Sequence, residues 1–320
     1  MLNQEELQQM FGIPGVLEFK PGQGGLLAAH VTAPAAEATI YIQGAHLTHW
    51  KPTGQASAIF TSERSDYASG KPIRGGVPVI FPWFSERHDG KTGPMHGFGR
   101  ISDWQLAFAA MSGQKDDSDL HLLWTLESND LSRSLGFDHF KVGYRMTIGR
   151  KLTLELTVAN DSGNGGHTTP EEMERNGAPL VFEQAFHTYY AVADARQVSI
   201  DGLGNTDYID KVDSLKRKHQ DEAVLHLTGR TDRPYLNTTA TCVLHDPAGK
   251  RKITVAKTGS HSTVVWNPWQ EFCAKMPDML PDGWLHFTCI ETANVGDNAI
   301  TLKPGATHSM KVDVSIEPLT

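Results

Sequence analysis

At 320 residues the chain is long enough to bury a large core, and its length alone suggests about two domains, although β-sandwiches run to about 250 residues as one unit. A net charge of −8, from 29 basic against 37 acidic residues, argues against a broad nucleic-acid or anionic-membrane surface, so any anionic ligand needs a local arginine cluster. Charged residues at 21 % with ordinary apolar content argue against disorder. Cys242, Cys273 and Cys289 show no CxxC spacing and cannot all pair internally, which favours a reducing compartment and buried thiols.

Residues 1–25 read as a short helix and lead-in, and 26–320 as one β-domain. Asn3 is placed to cap a helix whose first turn holds Glu5 and Glu6 and which Gly12 and Pro14 stop. Met1–Met10 has neither a secretory apolar core nor transit-peptide character, and no apolar run reaches the roughly 18 residues of a membrane helix. Cytoplasm is the default expectation. From Ala38 to Pro52 two strands are expected, or one strand kinked at Gly44. His46 and His49 within it read as polar positions on a half-exposed sheet. HxH, HExxH and CxxC are absent, so no catalytic metal is expected.

The stretch Ile73–Arg100 mixes Arg74, His96 and Arg100 with glycines and aromatics, which suits a pocket wall carrying apolar ring surfaces and fixed donors. Trp104–Phe108, His121–Leu126 and Phe140–Ile148 follow as strands. Tyr144, Met146 and Ile148 share one face, and Leu152, Leu154, Leu156 and Val158 share another beyond a tight turn at Gly149-Arg150. Alternation with frequent turns predicts a large antiparallel β structure. Residues 159–179 form a polar loop, either a lid or a surface excursion.

Leu180–Val192 is expected as one strand with Glu183, Ala185, His187 and Tyr189 on one side. His187 is then either a satisfied core histidine or a proton-transfer group. Asp210 could accept hydrogen bonds from sugar hydroxyls or pair with Lys211 at the surface. Strands flank the turn Asp246-Pro247-Ala248-Gly249, and another runs from Thr263 to Trp269. In Trp284–Asn294, Leu285, Phe287, Cys289 and Glu291 share a side, which ends an apolar row in a carboxylate. Such a group is salt-bridged for structure or tuned by burial for proton transfer.

The runs Ile73–Pro78 with Pro82-Trp83-Phe84, His96–Arg100, Ala185–Tyr189, Tyr208–Lys211, Val265–Pro268 and Cys289-Ile290-Glu291 resemble, in this order, the aldose 1-epimerases. They look most like the hexose-6-phosphate mutarotase branch, the glucose-6-phosphate 1-epimerases. Gly44–Leu47 with Trp50-Lys51-Pro52 is similar to the family's early strand pair, so the resemblance spans roughly Ala38 to the end. It implies an all-β, galactose-mutarotase-like β-supersandwich with few short helices, in an isomerase without a cofactor that interconverts hexose 6-phosphate anomers; a monomer is the default expectation. On the matched positions it implies His187 as general acid, Glu291 as general base, and Arg74, His96, Arg100 and Asp210 as substrate contacts. Met95 stands where some members carry Gln, and the loop from 161 to 178 is longer than usual. Two alternatives stay open: a mutarotase for a non-phosphorylated aldose, and a non-catalytic carbohydrate-binding sandwich whose Trp83, Trp266 and Trp269 stack on sugars.

Overall fold

The computed structural model describes residues 2–114, 117–162 and 177–319. Most of the loop expected at 159–179, and with it the lid reading, therefore lies outside the described residues. Gln4–Phe11 is the opening helix. Asn3 accepts from the Glu6 amide while the Glu6 side chain accepts from the Asn3 amide, and Leu7 is its one buried residue. No helix among the described residues is long and apolar enough to cross a membrane.

Two large antiparallel sheets dominate. The nine-stranded sheet carries its longest strands, Asp119–Glu127, Phe140–Ile148, Leu152–Asn160 and Thr307–Pro318, side by side. Their period-two burial follows from an apolar row facing the core and a polar row facing out. The hairpin register sets Tyr144 opposite Leu156 and Met146 opposite Leu154. The two rows read as separate faces in the sequence thus lie on the same side of the sheet, because a tight hairpin keeps directly opposed residues on one face.

The eight-stranded sheet stacks on that row. Its middle strands are Thr231–Leu236, Ser262–Asn267, Phe287–Asn294 and Gln184–Phe186. Phe186 lies against Tyr144 with ring centroids 5.4 Å apart, and both are fully buried. Residues pointing the opposite way from Phe186 lie on the far side of the sheet. A four-stranded sheet, Leu17–Pro21, Leu27–Thr32, Ala36–Tyr41 and His46–Pro52, completes the main architecture.

The stretch expected as one strand from Leu180 to Val192 is three short pieces, Leu180–Phe182, Gln184–Phe186 and Tyr189–Ala191. The interruptions arise because the Glu183, His187 and Tyr189 amides donate to the carbonyls of Pro82, Pro78 and Gly76 at 2.9 to 3.0 Å. Those bonds tie the strand carrying His187 to the glycine-rich segment that follows Arg74. The three cysteines are free and buried.

Candidate active site

His187 and Glu291 come together through strand register. Phe186 pairs with Thr292, and Tyr189 with Cys289, so the same register sets His187 across from Glu291. Neighbours directly opposite on antiparallel strands have touching side chains. His187 Nδ1 and Glu291 Oε1 are 3.5 Å apart and almost wholly buried, at 7 % and 1 % side-chain exposure. Neither His187 Nδ1 nor Glu291 Oε2 has a hydrogen-bond partner. Buried polar groups are nearly always satisfied, so two unfilled positions side by side point to a ligand or to chemistry. The imidazole is held flat on Tyr189 at 4.9 Å and edge-on to Trp266 at 5.7 Å and His96 at 5.5 Å.

Burial raises the Glu291 carboxyl well above its ordinary value, with Asp232 adding repulsion and Lys211 and Arg100 pulling the other way. Burial likewise depresses His187, helped by Arg100 and Arg74. Both shifts favour uncharged forms, so the pair keeps one proton over a wide pH range. That proton can reside on either partner without changing the net charge, which suits a site that must give and take protons in both directions.

Arg74 is presented by two glycines. Gly75 and Gly76 sit at φ of 102° and 70°, and a Cβ on either would lie 2.5 Å from Thr61 Cα or from the His46 ring. His46, expected on a half-exposed face, is instead buried, with Nε2 2.8 Å from the Gly75 carbonyl oxygen. The turn at Gly44-Ala45 brings it under the arginine loop, an arrangement that alternation alone does not show. Arg74 Nε donates to Asp278 Oδ2 at 2.9 Å and Nη1 to the Tyr189 hydroxyl at 3.1 Å. Burial opposes its charge, but Tyr189 and Asp278 outweigh that.

Arg100 is different. Its Nη2 donates to the Met95 carbonyl at 2.7 Å, its buried Nε has no partner, and no carboxylate among the described residues lies within 4.0 Å. Burial lowers its pKa to about 10. The Met95 side chain, at the position where Gln was expected in some relatives of similar pattern, is exposed. His96 takes a left-handed backbone, φ 64°, that turns its ring into the cleft, and its Nδ1 accepts from the Ser85 amide at 3.1 Å. Burial drives its pKa well below the ordinary value, so it is a neutral imidazole.

Asp210 ends the strand Thr206–Asp210. Oδ1 accepts from the Val212 and Asp213 amides, and Oδ2 from Lys218 Nζ at 2.8 Å. The surface pairing with Lys211 that the sequence suggested does not form, because that ammonium turns toward the cleft. There Lys211 Nζ donates to Ser85 Oγ at 2.6 Å, lies 3.8 Å from Asp232 Oδ1 and stands 5.1 Å over the Phe84 ring. Glu183, expected beside His187, instead accepts from the Phe84 and Gly296 amides at 2.7 and 2.6 Å and braces two loops. Sequence reasoning missed Lys211, Asp232, Tyr189 and Asp278 as site residues. Tyr189 carried a signal in its place two residues beyond His187, and Lys211 in the motif Tyr208–Lys211. Among the described residues no group of three or more His, Cys, Asp or Glu side chains is placed to hold a metal.

The fold is thus an all-β sandwich that buries a carboxyl–imidazole pair with two arginines nearby. The aldose 1-epimerase family model matches residues 29–315, and the chain belongs to that family. It is 32 % identical over 262 residues to the Salmonella typhimurium protein named "Putative glucose-6-phosphate 1-epimerase", covering 82 % of this chain and 81 % of the relative. An Escherichia coli K12 protein of the same name is 31 % identical, with 87 % and 86 % covered. Among solved structures, the Salmonella typhimurium "putative mutarotase (YeaD)" superposes with a TM-score of 0.83 at 27 % identity, covering 97 % of this chain and 96 % of that one. HI1317 gives 0.73 at 25 % identity, with 95 % and 97 % covered. The protein is an epimerase of the mutarotase type, and its fold is the galactose-mutarotase-like sandwich.

Proposed function

We propose that the substrate is a hexose 6-phosphate, glucose 6-phosphate foremost, and that His187 and Glu291 perform the proton transfers. The observation that carries the phosphate is Arg100, a buried guanidinium beside the acid–base pair with no carboxylate partner among the described residues. A buried charge without a partner is costly, and a phosphate supplies the missing counter-charge in a geometry that guanidinium matches. Arg74, Lys211 and His96 border the same cleft. The names carried by the relatives agree with this reading.

In the reaction the C1 hydroxyl gives its proton to Glu291 while His187 protonates the ring oxygen and the C1–O5 bond breaks. The hydroxyl electrons become the C1 carbonyl and the ring oxygen leaves as the C5 hydroxyl. Rotation about C1–C2 turns the other carbonyl face to that hydroxyl. Closure then reverses the transfers, with His187 as base and Glu291 as acid. Arg74 and Arg100 hold the phosphate, and His96 and Lys211 contact hydroxyl or phosphate oxygens. Asp210 acts through the turn that aims Lys211.

The test is NMR exchange between the anomers of glucose 6-phosphate and of glucose, with and without the protein. A kcat/KM at least about tenfold higher for the phosphate ester is expected, the scale of one charge-assisted contact. Equal values would sink the phosphate assignment. No acceleration over buffer with either sugar would sink catalysis and favour a binding module.

A further inference from the structure

We propose that the protein carries a second saccharide site, for an uncharged oligosaccharide, in a cleft separate from the His187–Glu291 pair. The cleft has a volume of about 810 Å³ and lies where the four-stranded sheet meets the segments Ser57–Glu63 and Leu280–His286. That volume is in the range of small-molecule sites. None of His187, Glu291, Arg74, His96, Arg100 and Lys211 lines it.

Its chemistry suits neutral sugar rings. Tyr41 and Tyr67 form an aromatic corner, with centroids 5.2 Å apart and ring planes at 43°. Apolar ring surface of this kind covers the C–H face of a pyranose, as aromatic side chains with a polar tip do at other half-wet sites. Around them the hydroxyls of Tyr41, Thr48 and Thr61 are uncharged and only partly used. The Tyr41 hydroxyl accepts from the Gln23 amide at 2.9 Å and keeps its own proton to donate. Thr48 and Thr61 donate to backbone carbonyls and keep acceptor capacity, while the buried His30 Nε2 has no partner at all. A mixture of donors and acceptors with spare capacity matches hydroxyl-rich ligands.

Charge excludes the substrate class of the catalytic cleft. The lining contains neither Lys nor Arg, and its charged members are the exposed carboxylates Glu63 and Asp282. A phosphate ester would meet these carboxylates without a Lys or Arg in the lining to offset them.

The two sites share a wall. Phe60 lines the new cleft and stacks on Phe287 at 4.9 Å, and Phe287 stacks in turn on Trp266 at 5.6 Å beside His187. Ser62 Oγ donates to the carbonyl of Asp278, the residue whose carboxylate holds Arg74. Two rings, those of Phe287 and Trp266, therefore stand between Phe60 and His187.

The test is a titration of isotope-labelled protein, read by NMR amide shifts, with trehalose and methyl β-maltoside. Neither sugar has a free anomeric hydroxyl, so neither can be turned over. Expected are saturable shifts at Gln23, Thr48 and Thr61 that persist under saturating glucose 6-phosphate. In Tyr67→Ala, affinity should fall about tenfold, the loss expected for one removed ring contact, with the mutarotation rate unchanged. Tyr67→Phe keeps the ring and should keep binding, which separates loss of the contact from loss of fold. No saturable shift in the millimolar range, shifts confined to residues around Glu291, or equal affinity in Tyr67→Ala would each overturn the proposal.

Discussion

Replacing Glu291 by Gln changes the fewest things and asks the most. The amide has nearly the volume of the carboxyl and removes only the ability to gain and lose a proton. Oε2 has no partner and Oε1 only faces His187 Nδ1 at 3.5 Å, so no hydrogen bond that supports the fold is lost. Two unit charges at that 3.5 Å separation interact by about 5 kcal/mol at an effective dielectric of about 20, which is the scale on which the carboxylate stabilises a protonated His187. Gln supplies none of this. Loss of one general acid–base group typically costs about 10²–10⁴-fold, or about 3–5 kcal/mol of barrier. The assay is anomer exchange of glucose 6-phosphate by NMR or polarimetry, with the uncatalysed rate subtracted. Thermal unfolding on the same sample should give an unchanged or slightly higher Tm, since a buried ionisable group has gone. Because the pair acts as a unit, adding His187→Asn should cost little more. Wild-type exchange in a folded Glu291→Gln protein would refute the assignment of both residues.

Four further outcomes follow from the same geometry. The kcat–pH profile should be a broad plateau: it falls on the acid side well below 6.5, where depressed His187 takes a second proton, and on the alkaline side only well above 4.5, where raised Glu291 loses the last one. An acid limb at the ordinary imidazole value would contradict the burial argument. Asp278→Ala frees Arg74 from its 2.9 Å partner, and losing a charge-assisted bond of about 1.5–3 kcal/mol should raise KM for glucose 6-phosphate about tenfold or more with kcat little changed. Phe186→Ala empties a fully buried site against Tyr144 and should cost about 3–5 kcal/mol in denaturant unfolding. Asp210→Ala should lower Tm and raise KM while kcat holds, because its carboxylate fastens a turn and Lys218; a loss confined to kcat would place it at the reacting atoms.

The sheet content was legible because period-two burial is written directly into strands such as Phe140–Ile148 and Leu152–Asn160, where each side chain meets its face of the sheet independently of distant contacts. The opening helix was legible for a similar reason, since the Asn3 and Glu6 cap is local. Glu291 stood out because a carboxyl closing an apolar row is costly to bury. The ordered motifs from Arg74 to Glu291 supplied the family, and with it the proposal that His187 and Glu291 transfer the protons.

Tertiary structure alone decided which groups surround that pair. His187 meets Glu291 only through strand register, which depends on hydrogen bonds between segments about 100 residues apart. The partners of Arg74, the burial of His46 beneath Gly75, and the turn of Lys211 toward Ser85 are set by long-range contacts that no local pattern encodes. The lone guanidinium of Arg100 belongs to the same class. A sequence shows that an arginine is present, but only packing shows that its charge is buried with no carboxylate beside it among the described residues, and that is where the case for an anionic substrate rests.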